Sequence, residues 1–283
     1  MTSQSSPRAW FITGVSSGLG RSLAKAVLAS GDLVAGTVRK DSDRADFEAL
    51  APQRALGLIM DVTDEAAVQA AVAAAEAKMG RIDILVGNAG YGLIGAIEET
   101  SLAEMRAQFE VNVFGALAVI QAVLPGMRAR HAGRILTVTS VSGLAAWGGT
   151  GIYCASKFAL EGATQALAQE VEEFGIKVTN IAPGGMRTDY AGRSLVQAQR
   201  RIADYEDGPG RAASRILAEH AGAEPGDPAR VAAAILAIVD APDPPVHLIL
   251  GADALGYAEG RIAQLQQDIA AWRALSLTTG FEL

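Results

Sequence analysis

The stretch from Arg8 to Ser30 restricts the fold most. Ala9-Trp10-Phe11-Ile12-Thr13 is a short apolar run of strand character that passes without a spacer into Gly14-Val15-Ser16-Ser17-Gly18-Leu19-Gly20, and an amphipathic helical pattern follows from Leu19 to Ser30. A strand that turns straight into a helix needs one glycine for the tight turn. A second lets the backbone approach a ligand closely, and a third lets helix and strand touch. The helix start then aims free N–H groups and the positive end of its dipole at whatever sits in the turn, which suits a pyrophosphate. Gly14, Ser16, Ser17, Gly18, Leu19 and Gly20 are therefore candidate phosphate-cradling residues, with a ligand-free glycine turn as the plain alternative.

The same alternation continues. Strand-like runs at Leu33–Val38, Ala55–Met60, Ile82–Val86, Arg134–Thr139, Lys177–Ala182 and Val246–Leu250 are separated by helical patterns at Asp64–Met79, Leu102–Pro125, Tyr153–Phe174 and Pro228–Val239. Strands alternating with helices predict right-handed crossovers and a doubly wound Rossmann-like α/β domain, its seven-stranded parallel sheet covered by helices on both faces. Half of the 283 residues are hydrophobic, enough for one large two-sided core, and no linker divides the chain, so residues 1–283 read as one domain. The pattern breaks only at 189–228, where short helical pieces (Val196–Tyr205, Arg211–His220) sit among glycine, proline and mixed charge. That segment reads as a substrate-binding lid or insertion. Residues 252–283 form a C-terminal extension in which Leu255–Leu275 is amphipathic, its apolar face covering either the substrate pocket or a partner subunit.

Charge and composition exclude several classes of function. A net charge of −7 without long runs argues against nucleic acid or an anionic membrane surface as partner. The N-terminus lacks a signal-peptide pattern and no uninterrupted apolar run reaches about 18 residues, so the expected location is the cytoplasm. A single cysteine, Cys154, and three scattered histidines (His131, His220, His247) predict neither a disulfide nor a metal site.

Ligands of open α/β sheets bind at the carboxyl ends of the strands, and those ends carry the remaining candidates. The second strand ends in Arg39-Lys40, where a dinucleotide's adenine ribose would lie. Two cations there, with no carboxylate before Asp41, favour a 2′-phosphate and hence NADP(H) over NAD(H). Asp61-Val62 closes the third strand, with the carboxylate placed for an adenine amino group. Asn88-Ala89-Gly90 follows the fourth, Asn88 being a cofactor contact, a turn-stabilising amide, or both. Asn112 interrupts a long helix at a mild cost unless its amide has a partner. The fifth strand delivers Ser140 and Ser142 to the same edge, both on one face if the strand runs on. The sixth stops in Pro183-Gly184-Gly185-Met186-Arg187-Thr188.

Tyr153-Cys154-Ala155-Ser156-Lys157 carries the chemistry. Residues four apart share a helix face. A tyrosine ordinarily titrates near pH ~10, and a neighbouring ammonium in a partly desolvated site lowers that by roughly one to three units, which makes Tyr153 a usable acid or base toward a substrate oxygen. Cys154, on another face, reads as a small buried thiol.

Taken together, Thr13-Gly14-x-x-x-Gly18-x-Gly20, Asp61, Asn88-Ala89-Gly90, Asn112, Ser140, Tyr153-x-x-x-Lys157 and Pro183-Gly184 with Thr188 resemble the short-chain dehydrogenase/reductases over most of the chain. Val38-Arg39 and the run from Tyr153 to Gly162 are most similar to the hydroxysteroid and retinol dehydrogenase-like branch, which favours NADP(H). The resemblance implies that Tyr153 exchanges a proton with a carbonyl or alcohol oxygen that Ser140 also binds. It implies that Lys157 lowers the tyrosine's pKa and holds the nicotinamide ribose, that Asn112 supports a water leading from Lys157 to solvent, and that Thr188 binds the carboxamide. Ser142, Leu144, Trp147 and Met186, with Leu93 and Ala145 nearby, would line a pocket for an uncharged, fairly hydrophobic carbonyl or alcohol substrate. The family's habit also implies a homodimer or homotetramer. Two rival readings are a catalytically silent dinucleotide sensor and a nucleotide-sugar epimerase or dehydratase. A sensor has no use for the intact proton-transfer set. The epimerase relatives have a longer C-terminal domain and a different glycine spacing.

Overall fold

The computed structural model describes residues 6–188, 194–211, 215–216 and 222–281. In chain order it runs β1 (Ala9–Ile12), α1 (Gly18–Ala29), β2 (Leu33–Val38), α2 (Asp41–Glu48), β3 (Ala55–Ile59), α3 (Glu65–Met79), β4 (Ile84–Gly87), β5 (Gly92–Ile94), α4 (Leu102–Phe109), α5 (Ala116–Arg130), β6 (Gly133–Val138), α6 (Gly151–Glu170), β7 (Ile176–Pro183), β8 (Leu195–Gln197), α7 (Pro228–Asp240), β9 (His247–Leu250) and α8 (Ala252–Leu277). The seven-stranded sheet has the order β3-β2-β1-β4-β6-β7-β9, every pair parallel. The winding direction reverses between β1 and β4, so the glycine turn after β1 lies beside the Asn88 turn after β4.

Central strands are buried on both sides, which is why they read as continuous apolar runs. In β1, Trp10 and Ile12 join Leu23 and Val27 of α1 and Ile235 of α7 on one face. Phe11 points the other way, to Val72 of α3, Val123 of α5 and Ile135 of β6. One long helical stretch, 102–130, is long and apolar enough to cross a membrane by length and composition. Here its apolar character serves the core, through buried Val113, Val119, Ile120, Val123 and Met127.

Three local features depart from the sequence reading. The stretch expected as one helix over Leu102–Pro125 is α4 and α5 joined by a π-helical segment, Glu110–Gly115. Gly115 there lies so close to Val62 that a Cβ would come within 2.7 Å of its side chain. Val196–Tyr205 is not helical. Leu195–Gln197 is a strand paired in parallel with β5, and Ala203–Tyr205 is a single 3-10 turn. Most of Arg211–His220 lies outside the described residues; Arg211 itself closes a 3-10 turn at Pro209–Arg211.

The insertion is fastened to the body by a buried ion pair. The fully buried Glu99 accepts hydrogen bonds from Ala96 N (3.0 Å), Ile202 N (2.7 Å) and both terminal nitrogens of the buried Arg211. Burial opposes ionisation of this carboxyl, but the Ile202 and Ala96 N–H groups and the guanidinium outweigh it and hold its pKa below the usual range.

Candidate active site

At the β1–α1 turn, Gly14 and Gly18 have φ of +72° and +58°, a region that glycine enters without strain. Gly20 has no space for a side chain, since a Cβ would lie 2.3 Å from the Gly14 carbonyl oxygen. Gly18 differs, because among the described residues a Cβ there would meet only Thr188, at 3.9 Å. One glycine packs helix on strand; the other fronts an open space bordered by Thr188. Ser17 does not cap α1 with its side chain, and Leu19 is sunk in the core, so only its backbone faces the turn. This open cradle at a helix N-terminus fits the pyrophosphate of a dinucleotide.

Asn88 is a turn-stabilising amide. Its Nδ2 donates to the carbonyls of Thr13 (2.7 Å) and Gly14 (3.1 Å), while the Thr13 hydroxyl accepts from Asn88 N and Ala89 N, both at 2.9 Å. The two turns at the switch point are thereby tied into one piece. Arg39 and Lys40 stand exposed at the end of β2. Asp41 pairs with Arg44 at 2.9 Å. Asp61 is exposed, and its Oδ1 accepts from the Thr63 N–H and hydroxyl at 3.0 and 2.8 Å; with Arg39 nearby, these keep its pKa below the ordinary value.

Beyond β4 lie the other candidate residues. Asn112, buried in the π segment, accepts from Tyr91 N (3.0 Å) and donates to Tyr91 O (2.9 Å) and Ser156 Oγ (3.2 Å). Its amide binds the chain just past Gly90 to α6, which is the partner a mid-helix asparagine needs. A Cβ on Gly90 would stand 3.1 Å from Asn112 Oδ1 and 3.6 Å from Lys157 Nζ. Lys157 is buried, donates from Nζ to Val138 O at 2.8 Å, and holds its ammonium 5.9 Å from the centre of the Tyr153 ring. Burial pulls its pKa down from 10.5 to about 8, against an opposing pull from Glu161.

Ser140 lies two residues past the end of β6 and caps a 3-10 turn, Val141–Gly143, its Oγ accepting from Ser142 N at 3.1 Å. The strand does not run on, so Ser142 does not share a strand face with Ser140 as the spacing suggested. The turn rests on α6, where a Cβ on Gly143 would approach Lys157 O to 2.9 Å. Leu144 and Trp147 are half-buried beyond it, and Leu93 is buried in β5. Met186 packs against the core face that holds Val15 and Ile181.

Several contributors escaped the sequence reading. Asp253 of α8 accepts from Gly185 N at 2.8 Å and fills the space a Gly184 side chain would need, so Pro183-Gly184-Gly185 is braced by the extension. Tyr257, one turn on, packs its ring against Trp147 at 5.2 Å. Glu161 is buried one turn past Lys157 and takes His247 Nδ1 at 2.6 Å, with its Oε2 left without a hydrogen-bond partner among the described residues. The repeated spacing of four, Tyr153 to Lys157 to Glu161, was the available signal for that residue. Contacts between α8 and the sheet edge have no local signature.

The short chain dehydrogenase family profile matches residues 8–198. An oxidoreductase of Botryotinia fuckeliana is 37% identical over 95% of this chain and 98% of its own. A 3-ketodihydrosphingosine reductase of Bacteroides thetaiotaomicron is 35% identical over 87% of this chain and 88% of its own. The crystal structure of a short-chain dehydrogenase from Streptomyces avermitilis superposes with a TM-score of 0.91 at 38% identity, covering 98% of this chain and all of that one. Family match, relatives and shared fold lead to one conclusion: the chain is an oxidoreductase belonging to the short-chain dehydrogenase family.

Proposed function

We propose that the protein is a cytoplasmic, NADP(H)-dependent ketone reductase or alcohol dehydrogenase, working on an uncharged, fairly hydrophobic substrate as a homodimer or homotetramer. The observation that carries this reading is the Tyr153–Lys157 pair, with a buried ammonium 5.9 Å from the phenol ring. Bound nicotinamide supplies the hydride in reduction and accepts it in oxidation. The chain's own residues manage the oxygen. As the carbonyl carbon is reduced its oxygen gains negative charge, and the Ser140 hydroxyl and the Tyr153 phenol are donors for that charge, Tyr153 giving up its proton. The Lys157 cation favours the phenolate that remains, while Asn112 acts through Tyr91 and Ser156 to keep α6 in register with the turn after β4.

Arg39 and Lys40, exposed where the adenine ribose would lie, support the preference for a 2′-phosphate. Thr188, across from Gly18, would take the carboxamide, and the 189–228 segment, clasped through Arg211, would serve as the substrate lid. Half-buried Leu144, Trp147 and Met186 support an apolar substrate. The Bacteroides relative, named for reducing 3-ketodihydrosphingosine, supports a ketone.

The test is NADPH and NADH oxidation against aromatic, steroid and aliphatic ketones, with Tyr153→Phe and Arg39→Asp run alongside. Tyr153→Phe should lose roughly 10²–10⁴-fold in turnover with NADPH affinity nearly unchanged. Arg39→Asp should weaken NADPH binding much more than NADH binding. Cofactor binding with no ketone reduced would overturn the reading, and equal losses for the two cofactors would overturn the NADP(H) preference.

A further inference from the structure

We propose that the outer part of α8 pairs with the same helix of a second copy of the chain, as a two-helix coiled coil. The helix outruns the body on which it starts. Ala254 and Ala258 are buried and Tyr257 packs on Trp147, but every residue from Glu259 to Leu277 is exposed. At 1.5 Å per residue those 19 residues reach about 28 Å beyond their last buried contact. Most helical stability in proteins comes from packing an apolar face, so an extended helix with exposed Ile, Leu and Trp calls for a cover.

The sequence of the free stretch says what kind. Continuing a row that begins at Leu255 and at Ala258, which is buried on the body, Ile262, Leu265, Ile269 and Trp272 keep spacings that alternate 3 and 4 and so repeat every seven residues. That is the narrow seam of a coiled coil and not the broader stripe of a helix laid on a globular surface. Ile262, Leu265, Ile269 and Trp272 are 56, 47, 54 and 65% exposed. With Leu255 and Leu275 beside them, they make an exposed apolar row of the kind that marks an interaction surface.

The flanking charges choose the occupant. Glu259 and Asp268 sit beside the seam with Arg261 and Arg273, two of each sign, and no lysine occurs from 252 to 281. An identical helix can meet balanced edges with opposite charges. An anionic membrane or a nucleic acid would call for a basic face, whereas the polar side here carries Gln264, Gln266 and Gln267. Leu102, Phe114 and Phe158 are exposed on other elements, α4, the π segment and α6, so assembly through α8 is separable from assembly through those residues.

The full chain, its Ile262→Glu/Ile269→Glu variant and a polar-face control, Gln264→Glu/Gln267→Glu, are compared by sedimentation equilibrium at micromolar concentration, with circular dichroism on each. The control adds the same charge to the same helix. Association should weaken at least 100-fold in the seam variant, with loss of helical signal equivalent to at most the free stretch of α8, and stay unchanged in the control. A monomeric wild type, or a seam variant that keeps the wild-type mass, overturns the proposal. So does loss of assembly in Phe114→Glu alone. Flotation of the wild type with phosphatidylserine vesicles would assign the seam to a lipid surface instead. None of these readouts depends on which carbonyl, if any, the protein reduces.

Discussion

Lys157 concentrates the conflict between stability and chemistry. In the unfolded chain it titrates near 10.5 and in the fold at about 8. Below pH 8 both states hold the proton, and the whole penalty of burying the charge is present. Between pH 8 and 10.5 the folded lysine has released its proton while the unfolded one retains it, so stability rises with pH across that window. The difference corresponds to about 3 kcal/mol at most. Replacing the ammonium with an apolar chain of similar length removes that penalty but leaves Val138 O without its donor, a loss of about 1 kcal/mol. Lys157→Met is therefore expected to stabilise the ligand-free protein by ~1–2 kcal/mol at pH 7 while abolishing turnover. The gain should shrink toward pH 10. Denaturant unfolding at pH 7 and pH 10 checks this, and a variant less stable than wild type at pH 7 would refute it. Tyr153 and Lys157 were legible in sequence because a spacing of four fixes a shared helix face whatever surrounds it. Ser142 was not, since its relation to Ser140 depended on where the strand stopped.

Among the elements, the clasp between Glu99 and Arg211 decides whether the insertion stays in place. It joins a 3-10 turn after β5 to another 112 residues later. No local rule relates two positions so far apart, and in sequence they are one glutamate and one arginine among many. Removing one partner leaves a buried charge uncompensated, so Glu99→Gln should destabilise by about 3–5 kcal/mol and expose 194–211 to proteolysis. Replacing both, as Glu99→Leu with Arg211→Leu, should cost much less than the sum of the single changes. Denaturant unfolding and limited proteolysis read both effects, and a single-variant loss under about 1 kcal/mol would show the pair to be ornamental. Since folding lowers the Glu99 pKa, its contribution is present above its ordinary value of 4.5 and fades as pH falls through the lowered one. The π segment was hidden for a related reason. The 102–130 stretch has helical periodicity throughout, and only the Tyr91 peptide and the Val62 contact, both remote in sequence, give the extra backbone residue a place.

For the whole molecule, the groove across the switch point should couple ligand binding to global stability. A dinucleotide at 100 times its Kd adds about 2.7 kcal/mol, which for a chain of this size raises Tm by roughly 4–5 °C. NADPH should give a larger shift than NADH at equal concentration, and Tyr153→Phe should keep the shift although it loses turnover; calorimetry with and without cofactor tests both. No shift with either dinucleotide would mean that the groove is closed to them. The amino-acid sequence alone determined the layered α/β architecture and the identities of Gly14, Gly18, Gly20, Tyr153 and Lys157. Each of these follows from short-range rules: period 2 or 3.6, the φ a turn demands, the face a spacing selects. Only the tertiary structure decided that β8 joins β5, that Arg211 finds Glu99, that Asp253 braces Gly184 and that α8 leaves the body with its seam uncovered. Those outcomes depend on which surfaces remain once the sheet has closed, a property of the packed whole that no window of the chain contains.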